Sequence, residues 1–248
     1  TTFFPRWYVT EQAEVDAFLP PFTPRQARDP APPVSIGAMV GPEAFTEVRY
    51  LQFHRQREAL RRIPEVAARF AAAFGRDSGG LLHSYRCEDA RTIVLAMGSV
   101  LGTLKDTVDE LRDEGVAVGV VGLTSFRPFP MDAVRAALGD AAQVIVLERA
   151  FSVGVGGIVS ANVHMALAGL SQRYHTVVAG LGGRPVTRAS LRGMLADATA
   201  GRLRDLTFLD LDHELVAREL ALVQAHPRSG PAAENILRDV GVVAARPH

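Results

Sequence analysis

Cysteine, lysine and net charge are almost missing from this chain. One cysteine, Cys87, in 248 residues excludes an internal disulfide, a four-thiolate cluster site and a CxxC redox pair. A reducing, cytoplasmic setting is the expectation that follows. Of 27 basic residues only Lys105 is lysine, which leaves a single candidate Schiff-base amine, in a helix-like segment with polar neighbours. Basic and acidic residues balance at 27 each. No net field therefore draws the chain to nucleic acid or to an anionic membrane, and no basic run with interleaved aromatics is present. No apolar run approaches the roughly 18 residues of a membrane span, and the opening TTFFPRWYV lacks the charged-then-apolar order of a secretion signal.

Chemistry-bearing motifs are also missing. There is no GxSxG elbow, no HExxH and no phosphate loop ending in GK[ST]. His54, His83, His164, His175, His213, His226 and His248 are scattered without zinc-ligand spacing. CEDA at 87–90 and DEL at 109–111 read as solvated or capping carboxylates. The residues supply no catalytic group, and metal sites are expected to be absent.

What is present is core: 48% of the residues are hydrophobic, enough for one large domain or a smaller one with an appendage. Residues 1–41 are proline-rich and read as an extended arm. Residues 42–90 read as a helical linker. In it Phe45, Val48, Phe53, Leu60, Ile63, Val66, Phe70 and Phe74 follow a helix period interrupted at Pro64, predicting two helices or one kinked helix that ends at Gly75.

From residue 91 to 225 short apolar runs alternate with helix-length amphipathic segments: TIVLAM, VAVGVVGL, QVIVLE and HTVVAGLGG. Each run is nearly continuous, as suits a strand covered on both faces, and each connection is long enough for a parallel crossover. The expectation is an open α/β domain with about four parallel strands. HELVARELALVQA (213–225) closes it as a last helix, and 226–248 reads as a loose tail.

Two strand-end segments carry the candidate functional residues. In SFRPFP (125–130) prolines follow Arg127 and Phe129, favouring extended backbone at both, while Pro130 suits a helix start. Arg127 is then held at the edge of the sheet where ligands or partners sit, unless Phe126 and Phe129 pack the turn and Arg127 merely caps a carboxylate. In ERAFSVGVGG, Ser152 and the glycines at 154, 156 and 157 could offer N–H groups to an anion at a helix start, or could simply let that helix pack close. The spacing misses GxGxxG, whose third glycine would fall on Val159, and disfavours a nicotinamide cofactor. Gly182 and Gly183 of GLGGR share the ambiguity.

Taken in order, FLPPF, DPAPPVSIGA, FGR, YRCEDA, AMGSVLGT, LRDEGVAVGVVGLTSFRPFP, VIVLERAFSVGVGG and GLGGR resemble the alpha-chain core of 2-oxoacid:ferredoxin oxidoreductases of the pyruvate synthase type, over about Val15 to Arg184. The resemblance implies a domain like the C-terminal domain of transketolases, preceded by the linker that follows a pyrimidine-binding domain. It also implies oxidative decarboxylation of a 2-oxoacid with coenzyme A and ferredoxin, through thiamine diphosphate, magnesium and iron–sulfur clusters. The domain with the activating glutamate, the GDG-type metal motif and the cluster cysteines are not in this sequence. The expectation is a truncated or naturally split alpha subunit that assembles with a pyrimidine-binding domain and with beta and gamma/delta-type chains. Those partners would hold the cofactors. Two other readings stand beside it: a free-standing small-anion or nucleotide-binding regulator, and the C-terminal domain of another thiamine-dependent 2-oxoacid enzyme.

Overall fold

A computed structural model of the chain describes residues 10–24, 27, 29–33, 37, 39–225 and 232–242. The readings made for TTFFPRWYV, for most of VSIGA, for His226 and His248 and for the two ends of the tail lie outside the described residues. The chain divides into two compact units, Thr1–Thr207 and Phe208–His248.

Gln12–Phe18 (α1) and Phe45–Phe74 (α2) precede a sheet of six strands. These are Leu82–Tyr85 (β1), Thr92–Ala96 (β2), Val118–Leu123 (β3), Gln143–Glu148 (β4), Arg173–Val178 (β5) and Leu206–Phe208 (β6), in the order β1-β3-β2-β4-β5-β6. The four long apolar runs, β2 to β5, pair in parallel, with Val94 opposite Val120 on one side and Ile145 on the other. Every residue of β3 and β4 is buried, which is why their sequences do not alternate.

Val100–Asp113 (α3), Met131–Leu138 (α4), Ile158–Ala166 (α5) and Arg188–Thr199 (α6) cover the two faces. Ile93, Leu95, Val121, Val144 and Val146 meet Val134 and Leu138 of α4 and Val163 of α5 in one cluster. Alternate strand residues such as Val94, Val120 and Ile145 point the other way, where Leu104 and Val108 of α3 and Leu191 and Leu195 of α6 are also fully or nearly fully buried. Arg188 and Arg192 of α6 bridge to Glu110 and Glu114 of α3 along the solvent side of that face.

The elements differ from the sequence reading at four places. The arm contains a helix: Glu11 and Glu14 form a reciprocal capping box for α1, and Phe18 then packs edge-on against Phe70 and Phe74 at 6.0 and 5.2 Å. The linker contains a strand: β1 runs antiparallel to β3, pairing Leu82 with Leu123 and Tyr85 with Val120. The helix His213–Ala225 (α7), read as closing the α/β domain, belongs to the second unit. In the tail, Ala232–Asp239 is a helix (α8), with Glu234 in its first turn and Arg238 in its last, the placement the helix dipole favours.

The helix period at Phe45–Phe74 resolves as one helix of 30 residues, about 45 Å long, with Pro64 inside it. It ends where expected, at Gly75, whose backbone is left-handed at φ 63°. None of its residues is buried.

Candidate functional site

Because β2 to β5 are parallel, the loops that follow them share one edge of the sheet. The sequence-derived candidates all lie in these loops, yet they do not form one constellation. Arg127 and Phe129 line a groove against α2, whereas the glycines lie in the loops after β4 and β5.

The SFRPFP turn joins β3 to α4. The Ser125 hydroxyl donates to the Pro128 carbonyl at 3.1 Å, the Phe129 carbonyl accepts from Met131 at 3.0 Å, and the Arg127–Pro128 peptide is cis. Phe126 and Phe129 meet edge to face at 6.4 Å and pack on the main core cluster, so the aromatic half of the motif anchors the turn. Arg127 does something different. Its guanidinium lies 4.0 Å from the Phe126 ring centroid and donates to the Phe126 carbonyl at 2.7 Å, which fixes the side chain beside the turn without burying it. The groove it lines encloses about 870 Å³; Phe53, Arg57, Leu60 and Arg61 of α2 form one wall, and Arg127 to Ala133 with Leu81 the other.

The ERAFSVGVGG loop is organised around a residue that sequence reasoning passed over. Ser152 and Gly156 exchange backbone hydrogen bonds of 2.8 Å, closing a tight loop that requires the positive φ of Gly154 (84°) and Gly156 (117°). Its tip exposes Val153 and Val155, at 89% and 80%. Behind it the Glu148 carboxylate, only 6% exposed, accepts from the N–H groups of Ile158, Val159 and Ser160 at 2.8 to 3.0 Å and from the Ser160 hydroxyl at 2.5 Å. The helix start read as a candidate anion cradle is thus filled by the chain's own anion. Gly157 has to be glycine for the same reason, since a Cβ there would collide with Glu148 Oε1 and Ser160 Oγ. The only hint in the sequence is that α5 has no acidic residue in its first turn and no side-chain cap at Gly157.

Tyr174 of β5 pins the same helical turn from the next strand, donating to the Ser160 carbonyl at 2.6 Å. Burial pushes its phenol up to about 12, against partial relief from its hydrogen bonds. Gly182 and Gly183 sit in a short 3-10 turn at φ 64° and 86°, with open space where a Cβ would point. A small cavity of about 270 Å³ lies nearby, lined by Met97, Leu147, Arg149, Val159, Ala179 and Val186. The lone lysine is engaged elsewhere: Lys105 Nζ lies 5.2 Å from the Tyr85 ring centroid, and Tyr85 donates to Asp109. Burial raises the pKa of the Cys87 thiol, opposite to the thiolate character a nucleophile needs. Among the described residues no three His, Cys, Asp or Glu side chains gather as metal ligands. One cysteine does not fit a thiolate-held cluster.

Residues 90–191 match the family described as pyruvate:ferredoxin oxidoreductase core domain II. The chain is 37% identical over 207 residues to the pyruvate synthase subunit PorA of Methanothermobacter thermautotrophicus, an alignment covering 83% of this chain and 53% of that subunit. It is 36% identical over 213 residues to PorA of Methanosarcina barkeri, with the same coverages. The ketoisovalerate oxidoreductase subunit VorA of Pyrococcus horikoshii is 34% identical over 189 residues, 75% of this chain and 48% of that one. The chain spans about half the length of the relatives it matches.

Proposed function

We propose, for a chain that belongs through residues 90–191 to the pyruvate:ferredoxin oxidoreductase core domain II family, that it works as part of a 2-oxoacid:ferredoxin oxidoreductase and contributes assembly and docking. In that enzyme pyruvate or a related 2-oxoacid is oxidatively decarboxylated to an acyl-coenzyme A with reduction of ferredoxin. Thiamine diphosphate, magnesium and iron–sulfur clusters sit on partner domains or chains in this reading, and the assembly is cytoplasmic. Relatives named for pyruvate and for ketoisovalerate both match, so the 2-oxoacid is left as a class.

The observation that carries the docking role is the contrast between a sheet buried on both faces and a 30-residue helix with no buried residue. The competing reading, a free-standing anion or nucleotide binder at the strand-end glycines, loses its main support because Glu148 occupies the α5 N-terminus. The test is anaerobic co-expression with the chains encoded beside it. The reading expects a complex that carries thiamine diphosphate and clusters and reduces ferredoxin with a 2-oxoacid. A chain that stays alone under those conditions overturns it.

A further inference from the structure

The groove between α2 and the SFRPFP turn combines an apolar lining with clustered cations. Phe53, Leu60, Pro128, Phe129 and Met131 give it an apolar lining, and Arg57, Arg61 and Arg127 surround that lining. None of the three guanidinium groups has a carboxylate within 4.0 Å among the described residues, although Arg55 on the same helix pairs with Glu58. The residues outside the described set contain no Asp or Glu at all. Asp132 is the one carboxylate lining the groove, against three cations. Arg57 and Arg127 are instead laid over Phe53 at 5.9 Å and Phe126 at 4.0 Å, which presents them beside the apolar lining with no carboxylate in ion-pair range.

The apolar surface also continues along α2. Phe45, Tyr50, Phe53 and Val66 are about half exposed or more, and Phe45 to Val66 spans about 32 Å of helix. That is longer than a small ligand covers, and the 870 Å³ depression within it is concave, a poor fit to a flat lipid surface.

We propose that this groove is a docking site for an acidic, amphipathic segment of a second polypeptide, with a bulky apolar side chain seated between Leu60 and Phe129 and carboxylates paired to Arg57, Arg61 and Arg127. The inference rests on the reading of the chain as a docking subunit and adds the place and the chemistry of the contact. Carboxylate pairing by Arg is bidentate and geometrically selective, and it completes a surface that already holds the apolar anchor pocket of an interface centre.

The probe is a fluorescein-labelled amphipathic peptide of Glu, Leu and Phe, compared with a twin carrying Lys for each Glu and another carrying Ser for each apolar residue. Anisotropy is titrated on the full chain. The acidic apolar peptide binds, and added salt weakens it. The Arg57→Glu/Arg61→Glu variant weakens it about tenfold or more, and Arg127→Gln weakens it less. Arg202→Glu, at a paired arginine away from the groove, leaves it unchanged, and circular dichroism verifies that each variant is folded. Equal binding of the lysine twin, or unchanged binding by the double variant, overturns the proposal. Two further outcomes also overturn it: phosphatidylserine vesicles that bind the native chain and not the double variant, and self-association in sedimentation that the double variant abolishes. If the double variant still assembles with its partner chains as the native chain does, the groove is wrong and the docking reading survives. If the native chain fails to assemble, that reading falls by itself.

Discussion

Helix α2 and strand β3 are both rich in large apolar residues, yet β3 is buried at every position and α2 at none. The difference lies in what each element is offered by its own chain. The strand has neighbours on both edges and helices on both faces, so burial of about 25 cal/mol per Å² of apolar surface is realised on folding. The helix receives Phe18 on Phe70 and Phe74 and half-buries a stripe at Leu60, Ile63 and Ala67, while Phe45, Tyr50, Leu51, Phe53 and Val66 stay about half exposed or more and available for association. One region is finished by folding, and the other is the region that the proposed docking would finish.

The largest effect expected from that contrast is at Leu104, fully buried between α3 and the sheet. Leu104→Ala should cost about 2–5 kcal/mol in urea unfolding. Next is Glu148→Ala, which leaves three N–H groups and the Ser160 hydroxyl without their acceptor. About 2–3 kcal/mol should be lost, and a loss near zero would show that water caps α5 equally well.

Tyr174 gives a pH-dependent version of the same test. Its folded pKa is raised above the unfolded value, so its contribution is fully present below about pH 10 and is lost as the pH rises towards about 12. Two pKa units, discounted for partial exposure of the ring, correspond to about 2 kcal/mol. Tyr174→Phe should remove that alkaline loss while costing about 1 kcal/mol at neutral pH through the missing bond to Ser160.

The smallest effect is expected on α2. Phe53, 57% exposed, should tolerate replacement by alanine within about 0.5 kcal/mol in the free chain. The same substitution should weaken the assembled complex measurably, and a large loss in the free chain would place α2 in the fold after all.

The parts of the structure legible in the sequence are those whose cause is local or periodic. Continuous apolar runs marked β2 to β5, Pro130 and Asp132 marked the start of α4, and Gly75 marked the end of α2. β1 was hidden because four residues, LHSY, carry no period of their own and become a strand only by pairing with β3, some forty residues away in sequence. The helices in the arm and tail were hidden because proline-rich flanks outweighed the short helix formers QAEVDAF and AAENILRD.

At the site, SFRPFP announced a rigid turn because prolines restrict their own backbone and that of the residue before them. The role of Glu148 was not announced. A helix cap that arrives from the end of a strand ten residues upstream leaves no local spacing to find. Nor could the sequence show that Arg57 and Arg61 would face Arg127 across one groove, since that depends on where α2 lies.

Hydrogen exchange along the backbone, read on the purified full chain and again on the assembly purified with its partner chains, tests the central division most directly. Amides of α2 should exchange orders of magnitude faster than those of β3 and β4 in the lone chain and slow markedly in the assembly. Exchange in α2 as slow as in β3 and β4 without partners, or unchanged once they are bound, would contradict it.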